Sequence, residues 1–120
     1  MYYDNYSTSE KIIGKWIDGR NLYRKVITIT SINANANATD VSISLAKLNE
    51  VVNISGSVRT NSGQYKPVTS IYVDGNGVQS RYIFSVYTVY TTTLTVSYGD
   101  WWKNVFGKAN IIIEYTKTTD

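Results

Sequence analysis

The chain has no cysteine and no histidine among its 120 residues. Without cysteine there is no disulfide to staple the fold, no thiol nucleophile and no thiolate zinc site, and nothing points to an oxidising compartment. Without histidine the commonest general base and the commonest transition-metal ligand are both missing. The abundant serines therefore lack the imidazole that would activate them, and no cofactor is expected. Proline occurs once, at Pro67. No apolar run approaches the roughly 20 residues of a membrane-crossing helix, so membrane insertion is not expected. Met1-Tyr2-Tyr3-Asp4-Asn5 has no basic stretch leading into an apolar one, so no signal peptide is visible. Charge of one sign is scarce as well: 12 basic and 9 acidic residues leave a formal +3, scattered along the chain. Such a mild excess favours solubility and does not by itself call for a polyanionic partner.

What the chain does contain is β-branched and aromatic residues, interrupted at short intervals by Gly, Asn, Asp and Ser. That pattern predicts many short strands. The only helix-start signal is Ser7-x-x-Glu10, a capping-box spacing with room for at most one turn before Gly14. Asp18-Gly19 predicts a tight two-residue hairpin, flanked by Trp16-Ile17 and Leu22-Tyr23. Tyr23 to Ile29 alternates, with Val26 and Ile27 on opposite faces. Asn33-Ala34-Asn35-Ala36-Asn37-Ala38 is a small polar repeat that reads as loop.

Asp40 to Leu45 sets Val41, Ile43 and Leu45 against Ser42 and Ser44, the period of a half-buried strand. Val51 to Arg59 repeats this, with Gly56 suggesting a bulge or bend, and Thr60-Asn61-Ser62-Gly63 supplies a turn. Val68 to Val73 leads into the turn Asp74-Gly75-Asn76-Gly77, with a return strand from Val78 to Tyr87. Phe84 to Tyr98 has a mainly apolar face and a mainly hydroxyl face. At fifteen residues it exceeds the usual strand length, so a turn near Thr91-Thr92 or a long bent strand is expected. Gly99 to Lys108 reads as a loop, and a last strand runs from about Ala109 to Thr116.

A single domain over residues 1–120 of about eight strands follows: an all-β, antiparallel, jelly-roll-like β-sandwich, with a barrel as the other closed solution. A chain of this length buries roughly two-thirds of its unfolded surface, enough for a core without staples. The expected core comprises Trp16, Ile17, Leu22, Ile43, Ile54, Val86, Leu94, Val96 and Ile112.

Two segments carry a resemblance. Tyr6-Ser7-Thr8, Glu10 and Gly14-Lys15-Trp16-Ile17-Asp18-Gly19, continuing through Leu22-Tyr23-Arg24-Lys25, resemble the opening of a recurrent domain of bacteriophage tail fibres and tail structural proteins. Tyr115-Thr116-Lys117-Thr118-Thr119-Asp120 is similar to that family's ending. Arg20 and Asn21 stand where the family has Lys and Pro, so the turn loses the rigidity of proline. The resemblance covers roughly residues 6–25 and 110–120 and says nothing of the middle. It implies a β-sandwich at the C-terminal tip of a longer tail protein, a homotrimer, a place in the virion (tail fibre or baseplate), and contact with a host-surface polymer, foremost a glycan. A purely structural trimerising or capping module, and a fragment of a tail-associated depolymerase, are the competing readings.

Signals of catalysis are thin. A glycosidase needs two carboxyls held about 5–9.5 Å apart, yet Asp18, Asp74 and Asp100 each sit beside glycine, where a turn explains them. Glu114 alternates outward and reads as solvated, and Glu10 reads as a cap, so no enzyme activity is expected. Binding signals are better. The candidate site is Asp100, Trp101, Trp102, Lys103 and Asn104, on the only loop with two tryptophans, since loops carry function on rigid β scaffolds. If extended, Trp101 and Trp102 face opposite ways, one buried and one free to stack on a ligand. The competing reading packs both under the loop as core or subunit contacts. Tyr65, Tyr82, Tyr87 and Tyr90 fit a trimer seam as well as a glycan. Arg20, Arg24 and Lys25 with Tyr23 raise nucleic acid as a partner, but alternation sends Arg24 and Lys25 to opposite faces, so none is expected.

Overall fold

The computed structural model describes residues 6–68 and 83–119. The expected turn at Asp74 to Gly77, most of the two strands flanking it, and Tyr82 lie outside the described residues. Among those described, eight strands and one helical turn succeed one another: β1 (Lys11–Lys15), β2 (Asn21–Ile29), β3 (Ala38–Ser42), β4 (Leu48–Thr60), β5 (Tyr65–Pro67), β6 (Phe84–Val89), β7 (Thr93–Tyr98), α1 (Trp102–Val105) and β8 (Phe106–Lys117). They form two antiparallel sheets, one of five strands in the order β1-β2-β8-β4-β5 and one of three in the order β3-β7-β6. The fold is the all-β sandwich that the alternation predicts.

The core lies between the sheets. Tyr23, Ile27 and Ile29 of β2, Val58 of β4 and Ala109, Ile111, Ile113 and Tyr115 of β8 meet Phe84 and Val86 of β6 and Leu94, Val96 and Tyr98 of β7. Each buried aliphatic side chain stabilises the fold by about 1.5–3 kcal/mol relative to exposure. β8 is paired on both sides, and its inward residues are wholly buried. Leu45, just past β3, adds to the core, and the Lys25 ammonium donates to the Ser44 carbonyl at 2.9 Å.

The long alternating stretch turns as expected: β6 and β7 are joined at Tyr90, whose N–H donates to the Thr93 carbonyl at 2.7 Å. The first hairpin differs from its two-residue reading. Gly19 N–H donates to the Trp16 carbonyl and Trp16 N–H to the Arg20 carbonyl, both at 2.9 Å, so the loop has three residues, with Gly19 at φ +88°. That is a turn closed by a left-handed glycine, the next commonest hairpin connection. It places Ile17 at the tip, 91% exposed rather than in the core.

The other core expectations divide by face. Val86, Leu94 and Val96 are buried, while Trp16, Leu22 and Ile43 are half-buried. Ile112 points to the outer face of β8, because Ile111 and Ile113 take the inner one. Three consecutive isoleucines carry no alternation, and inward Ala109 and Tyr115 set the phase. Ile54 pairs with Ile113 on the inner face yet is 43% exposed. Gly56 is not a bulge either. The register shifts lie at Leu48/Glu50, Val51/Asn53 and Arg59/Thr60. Gly56, at φ +152°, instead lets β4 approach β8 so closely that a Cβ there would stand 2.1 Å from the Asn110 carbonyl oxygen.

Ser7 and Glu10 form no capping box. Ser9 N–H donates to Ser7 Oγ at 3.0 Å, and Glu10 reaches across to accept from the Tyr115 hydroxyl and, at 2.5 Å, from Lys117 Nζ. Glu114 is not solvated: it pairs with Arg24 at 2.5 Å and accepts from Asn53 Nδ2 at 3.1 Å, with the Tyr6 ring 4.2 Å from the Arg24 guanidinium.

Candidate functional site

The predicted loop between β7 and β8 contains a helical turn. Trp102 N–H donates to the Gly99 carbonyl at 3.1 Å and Lys103 N–H to the Asp100 carbonyl at 3.2 Å. Helical winding brings residues three apart onto one side, and Lys103 Nζ accordingly lies 2.9 Å from Asp100 Oδ1. It also removes the premise that adjacent tryptophans must face opposite ways. Their rings meet edge to face with centroids 4.9 Å apart.

Trp102 is wholly buried, edge-on to Phe84 at 5.5 Å. Phe84 in turn stacks on Tyr98 at 5.9 Å and on Phe106 at 5.6 Å. Aromatic pairs in these arrangements contribute about 0.5–1.5 kcal/mol beyond their buried area. This cluster closes one end of the sandwich and holds the turn rigid. Trp101 packs against it while remaining partly exposed, so of the two indoles it is the one with surface to offer.

The polar residues frame it. Asn37, from the Asn-Ala tract, donates through Nδ2 to the Tyr98 carbonyl at 3.0 Å and to Asp100 Oδ1 at 3.2 Å, and accepts from Lys103 Nζ at 3.2 Å. Hydrogen bonds from Lys103 and then Asn37, with the Lys103 charge, hold the Asp100 carboxyl below its usual range. The tract is fixed further at Asn33, whose carbonyl accepts from the Tyr98 hydroxyl at 2.8 Å. Lys66 of β5 places its ammonium 5.8 Å from the Trp101 ring centroid, and Asn61 N–H donates to the Val105 carbonyl at 2.7 Å.

Four of the five expected site residues thus cluster as a unit. Asn104 stays at the exposed rim, where its backbone carbonyl accepts from Asn61 Nδ2 at 3.4 Å. Asn37 and Lys66 carried no signal in the sequence, since a repeat and a strand lysine look the same whether or not they dock against the tryptophan-bearing turn.

Of the exposed tyrosines, Tyr65, Tyr87 and Tyr90 are 72%, 73% and 65% accessible. The basic residues near the first hairpin do not converge: Arg20 pairs with Asp18, Arg24 with Glu114, and Lys25 with the Ser44 carbonyl. No group of metal-ligating side chains occurs among the described residues, and no described helix is long and apolar enough to cross a membrane. Comparison of the chain with family models, with curated proteins and with solved structures finds no match.

Proposed function

We propose that this chain is a non-enzymatic binding module of a phage tail fibre or related tail protein, contacting a host-surface glycan through the end of the sandwich that carries Trp101. The setting rests on the resemblance of the opening and closing segments. The observation that carries the binding role is the partly exposed Trp101, backed by buried Trp102 and framed by the Asn37–Asp100–Lys103 hydrogen bonds. A flat indole beside fixed polar groups suits a sugar ring, which offers an apolar face and a rim of hydroxyls. Base stacking on aromatics suggests roughly 1–3 kcal/mol for such a platform. A non-enzymatic role is supported by the engagement of Glu10, Asp18, Asp40, Asp100 and Glu114 in ion pairs or hydrogen bonds to hydroxyls.

A glycan array probed with the wild-type chain and Trp101→Ala tests the reading. The wild type should bind a restricted set of glycans and the variant should lose it; binding to none, or equal binding by both, overturns it. A second reading, a structural trimerising module, is favoured by the exposure of Tyr65, Tyr87 and Tyr90. Release of reducing ends from host envelope would instead mark a depolymerase.

A further inference from the structure

The outer face of the five-stranded sheet is ordered in cross-strand rows, because directly paired residues share a face. Arg59 is the Cα partner of both Lys108 on β8 and Tyr65 on β5, giving the row Tyr65–Arg59–Lys108. The next row is Pro67–Ser57–Asn110–Thr28. Like charges placed directly opposite on neighbouring strands destabilise a sheet. Arg59 and Lys108 nevertheless face each other, with no carboxylate paired to either among the described residues. Lys108 is exposed and Tyr65 is 72% exposed.

The row lies at the α1 end of the sandwich, together with Lys66 and the Asp100–Lys103 pair. Among the described residues, four basic side chains (Arg59, Lys66, Lys103 and Lys108) and one acidic one (Asp100) stand here, a local excess of positive charge. Beside the cationic row, the Thr28 hydroxyl donates to Asn110 Oδ1 at 2.8 Å, and the Asn110 side-chain Nδ2 makes no hydrogen bond among the described residues. Ser57 adds a hydroxyl.

We propose that Arg59, Lys108 and Tyr65 form an anion-binding row for a saccharide polymer bearing phosphate or carboxylate groups. Arginine takes either group through two parallel hydrogen bonds, and lysine serves as a point charge. The Ser57–Asn110–Thr28 row supplies hydrogen-bonding partners for intervening hydroxyls, and Tyr65 a ring to pack on a sugar face. Two cations amid hydroxyls and amides suit a hydroxyl-rich anionic chain. A nucleic acid calls for several stacking rings along a basic groove, and Tyr65 is the one ring in this row. The proposal shares the glycan class of the Trp101 reading but rests on charge rather than stacking, so either can fail alone.

The test is affinity electrophoresis of the full chain through gels containing polygalacturonate, a phosphorylated dextran or neutral dextran, with a thymidine 20-mer titrated separately. The variants are Arg59→Gln/Lys108→Gln and, removing the same charge elsewhere, Lys11→Gln/Lys15→Gln. Wild type should be retarded by at least one anionic polymer and not by dextran, and whichever gel retards it identifies carboxylate or phosphate. The Arg59/Lys108 variant should bind at least tenfold more weakly with an unchanged or raised melting temperature, while the Lys11/Lys15 variant keeps its affinity. Equal retardation of all three proteins, no retardation by either anionic polymer, or tighter binding of the oligonucleotide would overturn the proposal.

Discussion

Trp101 and Trp102 occupy adjacent positions and carry different loads. Trp102→Ala empties a wholly buried volume against Phe84 and should cost about 3–5 kcal/mol, read from the denaturant midpoint. Trp101→Ala loses part of one packing face and should cost about 1–2 kcal/mol, its main effect being on the glycan array. Tyr115 makes a second residue-scale case. It is wholly buried, and its hydroxyl donates to Glu10. Burial first, then the Glu10 hydrogen bond and charge, push its phenol far above the ordinary tyrosine range. The folded chain therefore keeps a proton that the unfolded chain releases near pH 10. The stability linked to this group is intact below about pH 10 and is lost progressively above it. Tyr115→Phe should cost about 1.5 kcal/mol at neutral pH and lose less stability than wild type between pH 9 and 11, measured by urea unfolding. Parallel losses in both proteins would assign the alkaline limb to other groups.

At the scale of elements, the pairing of β4 with β8 depends on Gly56. A methyl there meets the Asn110 carbonyl, and the backbone has a φ that side-chain-bearing residues rarely adopt. Gly56→Ala should therefore destabilise the fold by about 2–4 kcal/mol, read from the thermal transition by circular dichroism. A loss under about 0.5 kcal/mol would mean that the strands part here without cost. The Asn-Ala tract shows how an element acquires a role through docking: Asn33 and Asn37 tie it to Tyr98, Asp100 and Lys103. The same docking positions the polar frame around Trp101.

At the scale of the whole molecule, Tyr65, Tyr87 and Tyr90 stand in solvent among the described residues, as do Tyr6 and the tip residue Ile17. Aromatic residues are enriched in subunit interfaces, and the homotrimer implied by the tail-protein resemblance would use such a surface. Sedimentation equilibrium should then give three times the 13.5 kDa of one chain, and Tyr87→Ser/Tyr90→Ser should lower that mass. One 13.5 kDa species at high micromolar concentration would count against a trimer formed by this domain alone.

The strands were legible in the sequence because side-chain alternation is local: Val86, Leu94 and Val96 face the core as their period predicts. The turn between β6 and β7 was legible because a fifteen-residue strand is too long to stay straight. The candidate loop stood out for its composition, two tryptophans between glycines. Where the local signal was ambiguous, tertiary structure decided. Ile111, Ile112 and Ile113 have no alternation of their own, and the facing sheet selected Ile111 and Ile113. Glu10 and Glu114 looked like a cap and a solvated residue, because their partners Lys117 and Arg24 are about a hundred positions away in the chain. Charge behaved the same way: twelve cations and nine anions read as a mild, scattered excess. Only the register of β5, β4 and β8 sets Arg59 beside Lys108, because strand pairing joins residues far apart in the sequence and composition carries no record of it.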